Sequence, residues 1–163
     1  MIIVSDTSAI NNLASINQLN LLHQLYGNVI IPTAVYQELT ETTFPVAGAT
    51  EVQTYSWISI CPVSNQVLVE LLQKELDPGE AEAIALAVEM SADQLLLDER
   101  RGRMVAESLN LRYTGVLGIL IAAKSRKLIP EVKPLLDALI YQAGFWVAKP
   151  LYDRILKIVG ESF

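Results

Sequence analysis

The chain is poor in the side chains that most often announce a chemistry. It holds one cysteine and one histidine in 163 residues. A lone cysteine, Cys61, excludes an intramolecular disulfide and makes a reducing, cytoplasmic compartment the expectation. Long apolar runs are missing as well. The longest strongly apolar run, Val116 to Ala123, is interrupted by Gly118 and falls far short of the ~20 residues that span a bilayer, so no membrane partner is expected. The apolar start Met1-Ile2-Ile3-Val4 stops at Ser5-Asp6 without a basic flank, unlike a signal peptide. Basic residues are scarce: 12 Lys and Arg stand against 18 Asp and Glu, a net charge of −6, and none precedes Lys74. Taken as a total, that charge speaks against a nucleic-acid partner.

What is present is a core-forming composition. With 52% hydrophobic and 18% charged residues, the chain is too apolar to be disordered. Its length is that of one domain able to bury a continuous core. Short apolar runs alternate with helical periodicity. Strands are expected at Met1–Val4, Val29–Ile31, Trp57–Val63, Gln94–Leu97 and Arg112–Thr114. Pro62 suggests that the third lies at a sheet edge. Helices are expected through Ala9–Ala14, through Leu19–Leu25 up to Gly27, after a Thr33 cap, through Leu68–Leu72, over Val105–Leu109 and over Val116–Leu128, with two more after Pro130 and Pro134. Asp77-Pro78-Gly79-Glu80 carries a cap, a proline at the first position and a glutamate three residues after the cap, a strong helix start. The stretch from Thr40 to Gln53 reads as irregular. Strands alternating with helices imply a parallel sheet covered on both faces, in one domain spanning 1–163. The helices from about residue 130 are open to being an add-on or a dimer contact.

Ligands of an open α/β sheet sit beyond the carboxyl ends of its strands. Asp6 follows the first strand, and Asp98 with Glu99 follows the fourth. Glu38 and Glu82 lie inside helices, past the first turn in which a carboxylate serves the helix dipole. Singly, each has an ordinary reading: Asp6 as a helix cap, Asp98 as a cap or loop acid, the glutamates as solvated helix residues. Glu80, at the capping-box position, reads as structural. The weight lies in the set. Converging carboxylates repel unless a cation neutralises them, and oxygen donors without a Cys or His cluster favour Mg²⁺ or Mn²⁺ over zinc. An ion so held can activate water and stabilise a leaving oxygen, which is the chemistry of phosphodiester hydrolysis.

Four ordered motifs resemble those of PIN-domain proteins: Ser5-Asp6-Thr7-Ser8 after an apolar strand, Val35-Tyr36-Gln37-Glu38-Leu39, the helix Gly79 to Ala87, and Leu95-Leu96-Leu97-Asp98-Glu99-Arg100-Arg101-Gly102-Arg103. The resemblance covers roughly residues 1–125 and is strongest to the VapC-like ribonucleases of toxin–antitoxin modules. It implies a three-layer α/β/α domain with a central parallel sheet and an acidic cluster holding Mg²⁺ or Mn²⁺. The carry-over makes Asp6, Glu38, Glu82 and Asp98 catalytic, with Asp6, Glu82 and Asp98 on the metal. Thr7 or Ser8 would orient the first acid or a coordinated water. It further implies an RNA substrate, products with a 5′-phosphate and a 3′-hydroxyl, and, as partners, an antitoxin protein and a second copy of the chain. The last motif departs from the pattern: the strand ends directly in Asp98-Glu99, and Arg100 stands where a later acid is common. Glu99 is therefore a candidate helper, and the number of metals stays open.

The basic residues qualify the total charge. Seven lie between Arg100 and Lys127, against one acid, Glu107. Phosphates approaching an acidic metal site need nearby cations, and Arg101 and Arg103 are the favoured pair, whereas Lys124 to Lys127 reads as a solvated surface. His23 and Cys61 have no activating partner in sequence and read as structural, the thiol as buried. The leading expectation is a metal-dependent ribonuclease. The alternative is a non-catalytic PIN-like module that binds RNA or protein. A phospho-receiver domain fits poorly, because Asp6 stands alone near the start.

Overall fold

The computed structural model describes residues 1–162; Phe163, the last residue of the expected domain, lies outside them. In chain order the elements are β1 (Ile3–Ser5), α1 (Thr7–Ser15), α2 (Asn20–Tyr26), β2 (Val29–Ile31), α3 (Thr33–Thr40), α4 (Ala49–Thr54), β3 (Ile58–Ile60), α5 (Gln66–Leu72), α6 (Pro78–Met90), β4 (Gln94–Leu96), α7 (Arg100–Ser108), β5 (Tyr113–Thr114), α8 (Val116–Ser125), α9 (Lys133–Tyr141) and α10 (Lys149–Ile158). The five strands form one parallel sheet in the order β3-β2-β1-β4-β5.

The strands are short and buried, and their pleat divides the core in two. Ile3, Val29, Ile31 and Leu96 point to one face, where α1 to α4 and α8 to α10 pack. Val4, Leu95 and Leu97 point to the other, covered by α5, α6 and α7. Successive side chains of a strand face opposite ways, so three-residue strands of β-branched and leucine residues suit a sheet sandwiched between helix layers. The result is the expected three-layer α/β/α arrangement. Leu136, Leu139, Ile155 and Leu156 of α9 and α10 share one cluster with Ile3 and Ile10, so the helices after residue 130 build the main core. Glu161 ties them down: its carboxylate accepts N–H bonds from Val132 (2.7 Å) and Lys133 (2.9 Å) and pairs with Lys124 Nζ at 3.0 Å.

Several local readings shift. The expected strand to Val63 ends at Ile60, after which the Cys61 N–H still bonds Ile31 O at 2.9 Å; Pro62 has no N–H to continue the ladder. β3 is an edge strand, as the proline suggested. Cys61 is half-buried rather than buried. Pro32, not Thr33, is the residue that precedes the first turn of α3. The stretch read as irregular contains α4, entered through Gly48 at φ 100°. Among the described residues, no helix is long and apolar enough to cross a membrane.

Candidate active site

β1 lies between β2, its sequence neighbour, and β4, reached by a crossover. The connections leaving β1 and β4 therefore diverge to opposite sides, and a crevice opens at their carboxyl ends, the place where doubly wound sheets bind ligands. Asp6 and Asp98 flank it. The Asp6 N–H continues the ladder to Leu96 O at 3.0 Å, and its side chain is 1% exposed. Asp6 Oδ1 accepts the Ala9 N–H (3.0 Å), which caps α1, and Oδ2 accepts the Ser8 hydroxyl (2.9 Å). Asp98 does the same for α8: Oδ1 accepts the Val116 N–H at 2.9 Å. Each carboxylate thus holds a helix start; Asp6 is buried and lines the crevice, whereas Asp98 is half-buried and lines the groove that adjoins it.

The crevice holds about 310 Å³ and is walled by Asp6, Thr7, Glu38, Asp77, Glu80 and Glu99 among others. The Thr7 hydroxyl donates to Glu38 Oε1 at 2.7 Å, so α1 orients an acid carried by α3. Two carboxylate oxygens, Glu80 Oε2 and Asp98 Oδ2, are buried without any hydrogen-bond partner. Three glycines give the acids their room. A Cβ on Gly79 would strike the Glu38 carboxylate, one on Gly102 would stand 2.9 Å from Glu80 Oε2, and one on Gly115 would strike Asp98 Oδ1.

Such crowding raises affinity for protons. Burial, followed by the Asp98 and Asp77 charges, pushes Asp6 up to about 7 against the pull of its bonds to Ala9 and Ser8. Burial, the Asp77 carboxyl alongside, and the Asp6 and Glu99 charges push Glu80 up to about 8. Asp98 is raised to about 6, chiefly by burial, while the Val116 N–H and the Arg103 charge hold it down. Glu38 is raised by burial and by Asp77 and Glu82, with Thr7 opposing. Shifts of this kind, in a cleft, make it the candidate functional site.

The glutamates of α6 point differently from expectation. Glu82 Oε1 accepts the Ala34 N–H at 3.0 Å; it holds the amino end of α3 and does not line the crevice. Glu80, read as one half of a capping box, leaves the capping to Asp77, whose Oδ1 takes the Glu80 N–H at 2.9 Å, and turns its carboxylate into the crevice. Two helical positions differ by about 200° around the axis, so only one of the pair can face a given side. Among the arginines, Arg103 lies near enough to Asp98 to act on its charge. Arg101 instead reaches Glu75 O at 3.4 Å, and Arg100 takes its place beside Arg103 along the adjoining groove. Arg100 and Arg103 stand at i and i+3, on one helix face. Cys61 lies outside the crevice. His23 is exposed, stacks on Trp57 at 5.1 Å between ring centroids, and its Nδ1 bonds Gly27 O at 2.6 Å, an arrangement that closes α2.

Whether the acids suit a divalent ion rests on these donors. All are hard oxygens, two of them orphaned and buried, and their raised proton affinity is what a cation would relieve. Among the described residues, no three of these side chains are drawn together at metal-holding spacing. Mg²⁺ keeps several waters and is commonly bound through one or two carboxylates. The residues fit the ion.

Fold and site together define a class: a doubly wound parallel α/β/α domain with a carboxylate crevice at its switch point. The chain belongs to the PIN-domain family; the family model DUF3368, described as a PIN domain, matches residues 2–161. It therefore has a nuclease-type fold over nearly its whole length. No curated protein matches the chain.

Proposed function

We propose that the protein is a metal-dependent endoribonuclease that hydrolyses RNA phosphodiester bonds at the acidic crevice. The observation that carries the reading is the pair of buried, unpartnered carboxylate oxygens on Glu80 and Asp98 beside Asp6. Asp6, with Asp98 or Glu80, would hold Mg²⁺ or Mn²⁺ through one or two carboxylates, with Glu99 as helper. When bound, the ion supplies a lowered water pKa and charge stabilisation at the leaving oxygen. Glu38, whose carboxylate accepts the Thr7 hydroxyl, would take a proton from the attacking water. Ser8 holds Asp6 in position. Arg103 and Arg100 supply the positive charge that brings a phosphate backbone to an otherwise acidic cleft.

The likeness of the motifs to VapC-like ribonucleases supports the further reading that the protein is the toxin of a toxin–antitoxin pair, with an antitoxin and a second copy as partners. The test is cleavage of structured RNAs with and without Mg²⁺ or Mn²⁺, in the unaltered protein and in Asp6→Asn. Asparagine caps a helix as well as aspartate does, so the variant keeps α1 and loses the charge. Metal-dependent cleavage abolished by Asp6→Asn is the expected result. Its absence, with RNA binding retained, favours the non-catalytic module, for which the unusual Asp98-Glu99-Arg100 motif speaks. Expression that arrests growth only with Asp6 intact, and is relieved by the product of an adjacent small gene, tests the toxin role.

A further inference from the structure

The crevice continues into a second, larger groove of about 630 Å³ that shares Ser8 and Glu99 with it. One wall is the start of α7 with Arg100 and Arg103; the opposite wall is the segment joining α9 to α10. That segment turns at Gly144, where φ is 68°. The Phe145 N–H then bonds Leu139 O at 2.9 Å, and the Phe145 ring packs on the main core. The next side chain, Trp146, is thrown outward and is 82% exposed. A tryptophan is rarely left so open, because it forgoes one of the largest apolar burials available. Its backbone is anchored on both sides, by Phe145 in the core and by α10, whose Ile155 and Leu156 are buried. The only acids on the groove are Asp98 and Glu99, at the end it shares with the crevice. Among the described residues, neither Arg100 nor Arg103 makes an ion pair.

We propose that this groove is a binding track for single-stranded RNA beside the cleavage point, in which the Trp146 indole stacks on an unpaired base and Arg100 and Arg103 take the neighbouring phosphates. The inference rests on the reading of the crevice as the cleaving site. Unpaired cations and an open aromatic face on opposite walls are the two elements by which sequence-tolerant single-strand binders work. A duplex presents no free base face to the indole, so the track selects unpaired RNA. The single tryptophan accounts for one base.

The test uses the full chain carrying Asp6→Asn, so that RNA stays intact, and a short single-stranded oligoadenylate as probe. Expected are quenching of Trp146 fluorescence on binding and an affinity about 5- to 100-fold weaker in Trp146→Ala, the range for loss of one stacked base. Trp146→Phe should recover most of it. Arg100→Ser and Arg103→Ser should each flatten the salt dependence by about one ion. Because Trp146 is exposed, its variants should melt as the parent does. Equal affinity of Trp146→Ala and parent overturns the proposal, as does equal binding of the same sequence in a duplex. A dimer that becomes monomeric in Trp146→Ala with RNA binding unchanged also overturns it, and makes the groove an interface between copies. Metal- and Asp6-dependent cleavage together with Trp146-independent binding removes the track and leaves the nuclease. Trp146-dependent binding without any cleavage does the reverse.

Discussion

A carboxylate packed among other carboxylates, away from water, keeps its proton well past the usual range. Asp6, Glu80 and Asp98 titrate near 7, 8 and 6 in the folded chain, against 3.8, 4.5 and 3.8 ordinarily. Their folded values lie above their unfolded ones, so between about pH 4 and 8 the native state binds more protons and stability falls as pH rises. Without divalent cations, the melting temperature should drop by several degrees between pH 5 and 8, and Mg²⁺ at pH 8 should restore it; a flat profile would count against the site. Substitution of Glu80 and Glu82 tells the proposed chemistry from scaffolding. Glu80→Gln should cut metal-dependent cleavage about 100-fold or more, yet above about pH 8, where the parent's carboxyl is ionised, raise the metal-free melting temperature by about 2–4 °C for each ~1 kcal/mol of repulsion relieved. Glu82→Gln, still able to accept the Ala34 N–H, should cleave within about threefold of the parent. Assays of both variants side by side decide which glutamate serves the chemistry.

At the scale of the element, helix starts and strand ends share their residues with the site. Asp6 follows β1 and caps α1 with one oxygen, so strand end and helix start are one position, while Asp98 follows β4 and reaches the first N–H of α8 from 18 residues away. Gly115, between β5 and α8, exists at that position because the Asp98 carboxylate occupies the space of a Cβ. Gly115→Ala should therefore displace Asp98, lowering cleavage at least about tenfold while the far-UV circular dichroism stays that of the parent. Unchanged cleavage would show that Asp98 is not needed where it stands. The elements themselves were largely readable. Asp77-Pro78 opens α6, Gly27 ends α2, and Val29–Ile31 is a strand, each by local chemistry. What α6 did not reveal was its working face. Buried residues surround it, from Gly79 through Leu86, so no apolar stripe marked which glutamate pointed where.

For the whole molecule, the C-terminal helices are closed onto the sheet by Glu161, bonded to two backbone N–H groups and to Lys124. Those bonds hold its carboxyl below the usual glutamate range, outweighing the opposing effect of burial. A depressed folded value contributes stability above the unfolded pKa, which is lost as pH falls through the folded one. Glu161→Gln should cost about 1–3 kcal/mol at pH 7, and the difference from the parent should shrink as pH falls below the usual glutamate range in denaturant titrations. The net charge of −6 is likewise a whole-molecule quantity that misleads when averaged. The acids gather in the crevice, and the free arginines line the groove beside it.

The sequence by itself determined the layered α/β class, the strand-end acids Asp6 and Asp98, and the helix starts, because strand burial, capping and turns depend on neighbours in the chain. Tertiary structure alone decided that Glu80 rather than Glu82 lines the crevice and Arg100 rather than Arg101 the groove, and that Trp146 stands open opposite the arginines. Those choices depend on which side of a helix meets a partner distant in sequence, here Gly102 of α7 against Glu80 and the Gly144 turn across the groove from α7. No local pattern encodes that meeting; only the packed sheet brings it about.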